Sequence, residues 1–155
     1  MEYDKAVKQT SLSLTILLFA FASGVILFGT VGLALGPLAD APEGLETLRW
    51  VAVALPLLEL PMAAQIWMMM GKRMAAADDW QQRIAILRGR TIVVAAMFEA
   101  PALLGGVVLL LTGPGWHVIP AFALFIGVIA GLLPTPARVQ RAIGHEDGRK
   151  VDAYS

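Results

Sequence analysis

The sequence predicts an all-α membrane protein, a four-helix transmembrane bundle with both chain ends on the cytoplasmic side. Three observations predict it. Hydrophobic residues make up 57% of the 155-residue chain and charged residues only 15%, where soluble domains average about 45–50% apolar and about 25% charged. The apolar residues gather in four runs, at about 12–35, 50–70, 91–112 and 117–133. The charges are sorted as well: of the Lys and Arg residues, Arg49 alone lies in the connections after the first and third runs.

Composition also excludes. Small soluble domains keep much of their surface wet, so a chain this apolar needs the bilayer as solvent. Cysteine is absent, which removes disulfides, thiolate chemistry and Cys-ligated zinc. The formal net charge is zero, and nothing global points to nucleic acid.

Residues 1–11 read as a cytoplasmic tail carrying Lys5 and Lys8. The first run follows, with no charge between Lys8 and Asp40. That exceeds the ~20 residues needed to cross a hydrocarbon core. Ala39-Asp40-Ala41 resembles a cleavage site, but the run is too long for a signal h-region and lacks a basic leader. It is expected to stay as a span. The second and third runs each hold one acid, Glu59 and Glu99. The fourth is the shortest and ends at Pro134 and Pro136. Helices are the default for all four, because strands in lipid must close into a barrel. Together residues 12–134 form the transmembrane domain.

Orientation follows the basic residues. The 71–90 loop has Lys72, Arg73, Arg83, Arg88 and Arg90, and the 135–155 tail has Arg138, Arg141, Arg149 and Lys150. Positive charge marks the cytoplasmic side. Trp50 and Trp116 fall at the outer boundary and Trp67 at the inner one, as interfacial belts do.

Within the 71–90 loop, Trp80, Ile84 and Leu87 share one helical face. Two readings stay open. One is an amphipathic helix on the inner leaflet; the other is a cytoplasmic extension of the third helix. After the fourth run, Thr135-Pro136 reads as an N-cap with Pro at N1. A short helix is expected through Ile143, with a disordered tail after Gly144.

The candidate ion site is Glu59 and Glu99, the acids inside the apolar runs. The helices are consecutive and antiparallel, so the carboxyls are expected at similar depth. An ionised acid there costs at least ~2 kcal/mol, so at least one is expected to be protonated at neutral pH. Each acid precedes a proline by two positions, Pro61 and Pro101. Proline frees the carbonyl four residues back, here Leu57 and Met97. A protonated carboxyl could donate to it and act as a kink device. The alternative is a proton or cation site, the default for intramembrane acids. Ala95, Glu99, Ala102 and Gly106 share one stripe, and Ala52, Pro56, Glu59 and Ala63 another. Small neighbours allow close helix approach, so both acids are expected to face protein.

Two further stripes are candidate packing faces: Gly29, Gly32 and Gly36 in the first run, and Ala123, Gly127 and Gly131 in the fourth. Either they pack together inside the bundle or at least one faces a neighbouring subunit. The second is the expectation.

Arg90-Thr-Ile92 followed by Glu99-Ala-Pro-Ala-Leu103-Leu-Gly105 resembles a broad group of uncharacterised bacterial four-helix membrane proteins. That resemblance implies a bacterial inner membrane and no assigned activity. Glu99 to Val108 is also similar to the ion-carrying helix of rotary-ATPase c-type proteolipids, which implies Glu99 as a proton carrier. The dense glycine pattern and the polar Arg-Gln-Pro loop of those proteins are missing here.

The remaining candidates are weak. His117 is expected at headgroup level beside Trp116. His145-Glu146-Asp147 reads as solvated tail. Met68-Met69-Met70 cannot share one face, so interfacial packing is their expected role. No catalytic, cofactor or metal residues are expected, and no enzyme. The expected role is a non-enzymatic membrane subunit or scaffold that forms a homo-oligomer or joins a larger complex. The alternative is a small proton- or cation-coupled conductor using Glu59 and Glu99.

Overall fold

A computed structural model describes residues 2–37 and 45–143. Those residues are all-α. The order is α1 (Glu2–Leu35), α2 (Leu45–Ala75), α3 (Trp80–Thr112), a 3₁₀ turn (Trp116–Val118), α4 (Ile119–Leu132) and α5 (Pro136–Ile143). The segment around Ala39-Asp40-Ala41 and the tail with His145-Glu146-Asp147 lie outside the described residues.

Three helices, α1 to α3, are long and apolar enough to cross a membrane. α4 has 14 residues, about 21 Å at the α-helical rise, against a core of about 30 Å. α4 with its 3₁₀ turn meets α5 at a bend of 74°. Pro134 lies in that break; it lacks an amide proton and restricts the residue before it.

α3 is the central helix. Half of its most apolar window is buried, against 22% for α1 and 17% for α2. The reason is side-chain size. Ala95, Ala102, Gly105 and Gly106 keep α3 slim and are all buried, so neighbouring helices approach closely. Val25, Ala63, Val94, Phe98, Ala102 and Phe125 form the middle layer of the core. Ala52, Val108, Leu109 and Val118 form a second layer toward the Trp116 end. The outer faces stay apolar: Phe19 is 68% and Leu58 66% exposed, as suits lipid contact.

Two expectations change at the basic end. The tail of residues 1–11 is not a separate tail, because α1 begins at Glu2 and buries Val7, Thr10 and Ser11. The 71–90 segment is not a loop with its own interfacial helix. α2 runs on to Ala75, and α3 starts at Trp80 and continues unbroken to Thr112. The extension reading of the Trp80, Ile84 and Leu87 face is therefore the observed one. That face has protein to cover it: Ile84 and Leu87 pack with Val7, Met74, Val139 and Ile143, and Tyr3 meets Trp80 edge-on at 5.6 Å. A leaflet is not needed as partner when α1 and α5 bury the stripe.

Helix ends follow local chemistry. The Asp79 carboxylate caps α3 by accepting from the Gln81 amide at 3.2 Å. Gly113 ends α3 with φ 76° and ψ 179°, a region that only glycine adopts without strain. As expected, Thr135 caps α5, its hydroxyl accepting from the Arg138 amide at 3.3 Å. The Ser11 hydroxyl donates to the Pro134 carbonyl and ties α1 to the elbow between α4 and α5.

Candidate functional site

The acid-bearing stripes are buried as their small residues require. On α2, Ala52, Pro56 and Ala63 are buried, with Glu59 half-buried between them. On α3, Ala95, Ala102 and Gly106 are buried, and Glu99 is again half-buried. Glu99 stands against α1: its Oε1 is 3.8 Å from where a Cβ on Gly24 would lie. Glu59 lies on the face of α2 that packs on α3.

The structure does not couple the two acids directly. Among the described residues no hydrogen bond joins the carboxyls to each other or to the Leu57 and Met97 carbonyls, and Oε2 of Glu59 is buried without a partner. The hydrogen-bonded kink device expected from the Glu-x-Pro pattern is therefore absent among these residues. The helices have absorbed Pro56, Pro61 and Pro101 without that support.

The two glycine stripes divide. Those of α1 are internal. A Cβ on Gly32 would lie 2.8 Å from the Gly106 carbonyl and 2.9 Å from the Leu109 Cβ. A Cβ on Gly29 would meet the Phe122 ring at 3.3 Å, and Gly36 is pressed against the Leu109 carbonyl. The α1 stripe thus packs mainly on α3, not on the α4 stripe. Gly127 and Gly131 are different: nothing lies within 4 Å of a Cβ at either position. Between α1 and α4 runs an apolar groove of about 670 Å³, whose walls include Leu18, Val25, Gly29, Phe122, Phe125 and Ile129.

His117, next to Trp116, is 6% exposed and so packed within the protein. The Gly113-Pro114-Gly115 turn folds its ring back, so that Nε2 lies 3.4 Å from the Thr112 hydroxyl. Gly115 is needed there, since a Cβ would collide with the imidazole. His117 lines a pocket of about 170 Å³ with Glu46, Arg49, Trp50 and Trp116. Trp50 and Trp116 lie edge-on at 5.8 Å.

Sequence reasoning missed Arg90. It counted as one more basic residue of the 71–90 loop. In the structure Arg90 is 8% exposed, with its guanidinium 3.9 Å from the centroid of the Trp67 ring. Among the described residues its guanidinium makes no hydrogen bond and no ion pair, and Nε is buried without a partner. The available signal was positional: Arg90 directly precedes the third apolar run, where an arginine has little water around it.

No family model, curated protein or solved structure matches the chain. The functional reading rests on the geometry of these faces.

Proposed function

We propose that this chain is a non-enzymatic membrane subunit that crosses the bilayer four times and assembles through α4. The neighbour is a second copy of the chain or a helix of a larger membrane complex. One observation carries the reading: the exposed Gly127 and Gly131 positions on α4, where nothing lies within 4 Å of an added Cβ. In lipid, apolar surface does not drive helices together, and close backbone approach over small residues does. The α1 stripe shows how this chain uses such glycines, against another helix. The α4 stripe is likewise built of small residues, and at Gly127 and Gly131 no helix lies on it among the described residues.

The fourth span consists of the 3₁₀ turn, α4 and the elbow, with a locally thinned bilayer and contact with the neighbouring subunit making up the length. Both chain ends and the α2–α3 turn face the cytoplasm, because the basic residues gather there. The resemblances in the sequence favour a bacterial inner membrane.

Native mass in lipid nanodiscs tests the assembly. Wild type runs as an oligomer or with a co-purifying membrane protein. Gly127→Leu shifts it to monomer with the helical signal intact, since the position has room for a side chain. A wild type that is monomeric and without a partner sinks the proposal.

A second reading has its own observation, the unpartnered buried oxygen of Glu59. A carboxyl left unpaired on a packed helix face is suited to take up a proton or a small cation. Under that reading proteoliposomes leak protons or cations, and Glu59→Gln or Glu99→Gln abolishes the flux. Tight wild-type vesicles would exclude it.

A further inference from the structure

The α4–α5 elbow encloses a pocket of about 140 Å³ lined by Trp67, Arg90, Thr91, Gly131, Pro134 and Arg138 among others. Two of these six are arginines, and no acid lines the pocket. Arg90 is more than nine-tenths buried, yet no acceptor or carboxylate among the described residues meets it. A buried cation without a counter-charge is costly. The Trp67 ring face, 3.9 Å from the guanidinium, offsets a part of that cost. Arg138 sits at the exposed rim. Its Nη1 donates to the Gly131 carbonyl at 3.1 Å and the Leu133 carbonyl at 3.4 Å, which holds its charge beside the opening.

We propose that this elbow pocket binds a phosphate group, with Arg90 as the buried anchor and Arg138 as the charge at the rim. The planar donor fork of arginine matches phosphate oxygens in paired hydrogen bonds. A phosphate at that point supplies the negative charge that Arg90 lacks. The phosphate has two possible sources, a phospholipid headgroup and a free phosphate ion. The position favours the headgroup. Arg90 stands where the third apolar run begins, and basic pockets between helices at that level of a membrane hold anionic headgroups. The pocket shares Gly131 with the α4 stripe, but Gly127 does not line it. Gly127→Leu should therefore disturb assembly while keeping the lipid, and a loss of lipid in Gly131→Leu is then assigned to the pocket.

The test uses the full chain, purified from membranes in mild detergent. Native mass spectrometry should find one phospholipid retained per chain. Arg90→Gln should weaken retention roughly tenfold or more, as loss of charge-assisted hydrogen bonds does. Should Arg90→Gln fail to fold, Gly131→Leu decides. A side chain there starts in open space and grows beside the pocket without straining the helix. It should also lose the lipid while keeping the helical spectrum. A second arm adds inorganic phosphate to delipidated protein and follows thermal unfolding. A rise in midpoint that Gly131→Leu removes, without lipid retention in the first arm, supports the site and assigns it to free phosphate. Two results overturn the proposal. One is a wild type that neither retains phospholipid nor responds to phosphate. The other is retention and response unchanged in both variants.

Discussion

The guanidinium of Arg90 lies 3.9 Å from the centroid of the Trp67 ring and joins α3 to α2 at the basic end of the bundle. The contact is one of few polar links between these two helices, so its loss is readable. Stacking of this kind contributes about 0.5–2 kcal/mol. Trp67→Leu should lower stability within that range, and Trp67→Phe, which keeps a weaker ring face, by less. Thermal unfolding in one detergent orders the three proteins. Equal midpoints for Trp67→Leu and Trp67→Phe would remove the ring face as the cause.

Gly32 marks a close approach of α1 to α3. A Cβ there would sit 2.8 Å from the backbone carbonyl of Gly106, and backbone cannot swing aside as a side chain can. Gly32→Ala should cost about 1–3 kcal/mol, the usual range for overpacking. Gly127→Ala, with nothing nearby, should leave monomer stability unchanged or raise it slightly through helix propensity. Denaturant unfolding of both variants checks the contrast. A harmless Gly32→Ala would mean that the helices are not seated this closely.

Glu59 carries a buried carboxyl oxygen without a partner. An unsatisfied buried polar atom costs about 1–3 kcal/mol, so Glu59→Leu should stabilise the protein toward heat. The same change at a paired acid would destabilise it. A lower unfolding midpoint for Glu59→Leu would therefore reveal a partner for this carboxyl, such as a bound cation or a neighbouring subunit.

The chain has no cysteine, so single cysteines report topology cleanly. Thr47 and Ala76 are both exposed, near opposite ends of α2. An impermeant maleimide on intact cells should label Thr47→Cys and spare Ala76→Cys until the membrane is opened. The reverse pattern would invert the orientation argued from the basic residues.

Local signals in the sequence were read correctly where one residue type has one physical use. The N-cap at Thr135 and the short helix after it appear as expected. The long apolar runs became α1, α2 and α3. The small-residue stripes around Glu59 and Glu99 turned inward, since only small side chains allow helix axes to approach.

The same reasoning placed the end of the bundle less well. Residues 1–11 and 71–90 look soluble because charge dominates them, and composition alone does not say that Val7, Ile84 and Leu87 meet Val139 and Ile143. Those contacts join parts of the chain far apart in sequence, and only the 74° elbow brings α5 back over α1 and α3.

What the sequence determined by itself is the solvent: four apolar runs and sorted charges make this a chain for a bilayer, built from helices. Tertiary structure alone decided the partners. Gly32 and Gly127 sit in the same kind of motif, but one is locked against α3 and the other faces open space. Arg90 and Arg88 are near neighbours in sequence. Arg88 donates to the Thr10 hydroxyl at 2.8 Å, whereas Arg90 lies over Trp67 with no acceptor among the described residues. The physical reason is rotation about a helix. Successive residues turn about 100° apart, so which of them meets protein, lipid or an empty pocket depends on where the neighbouring helices pack.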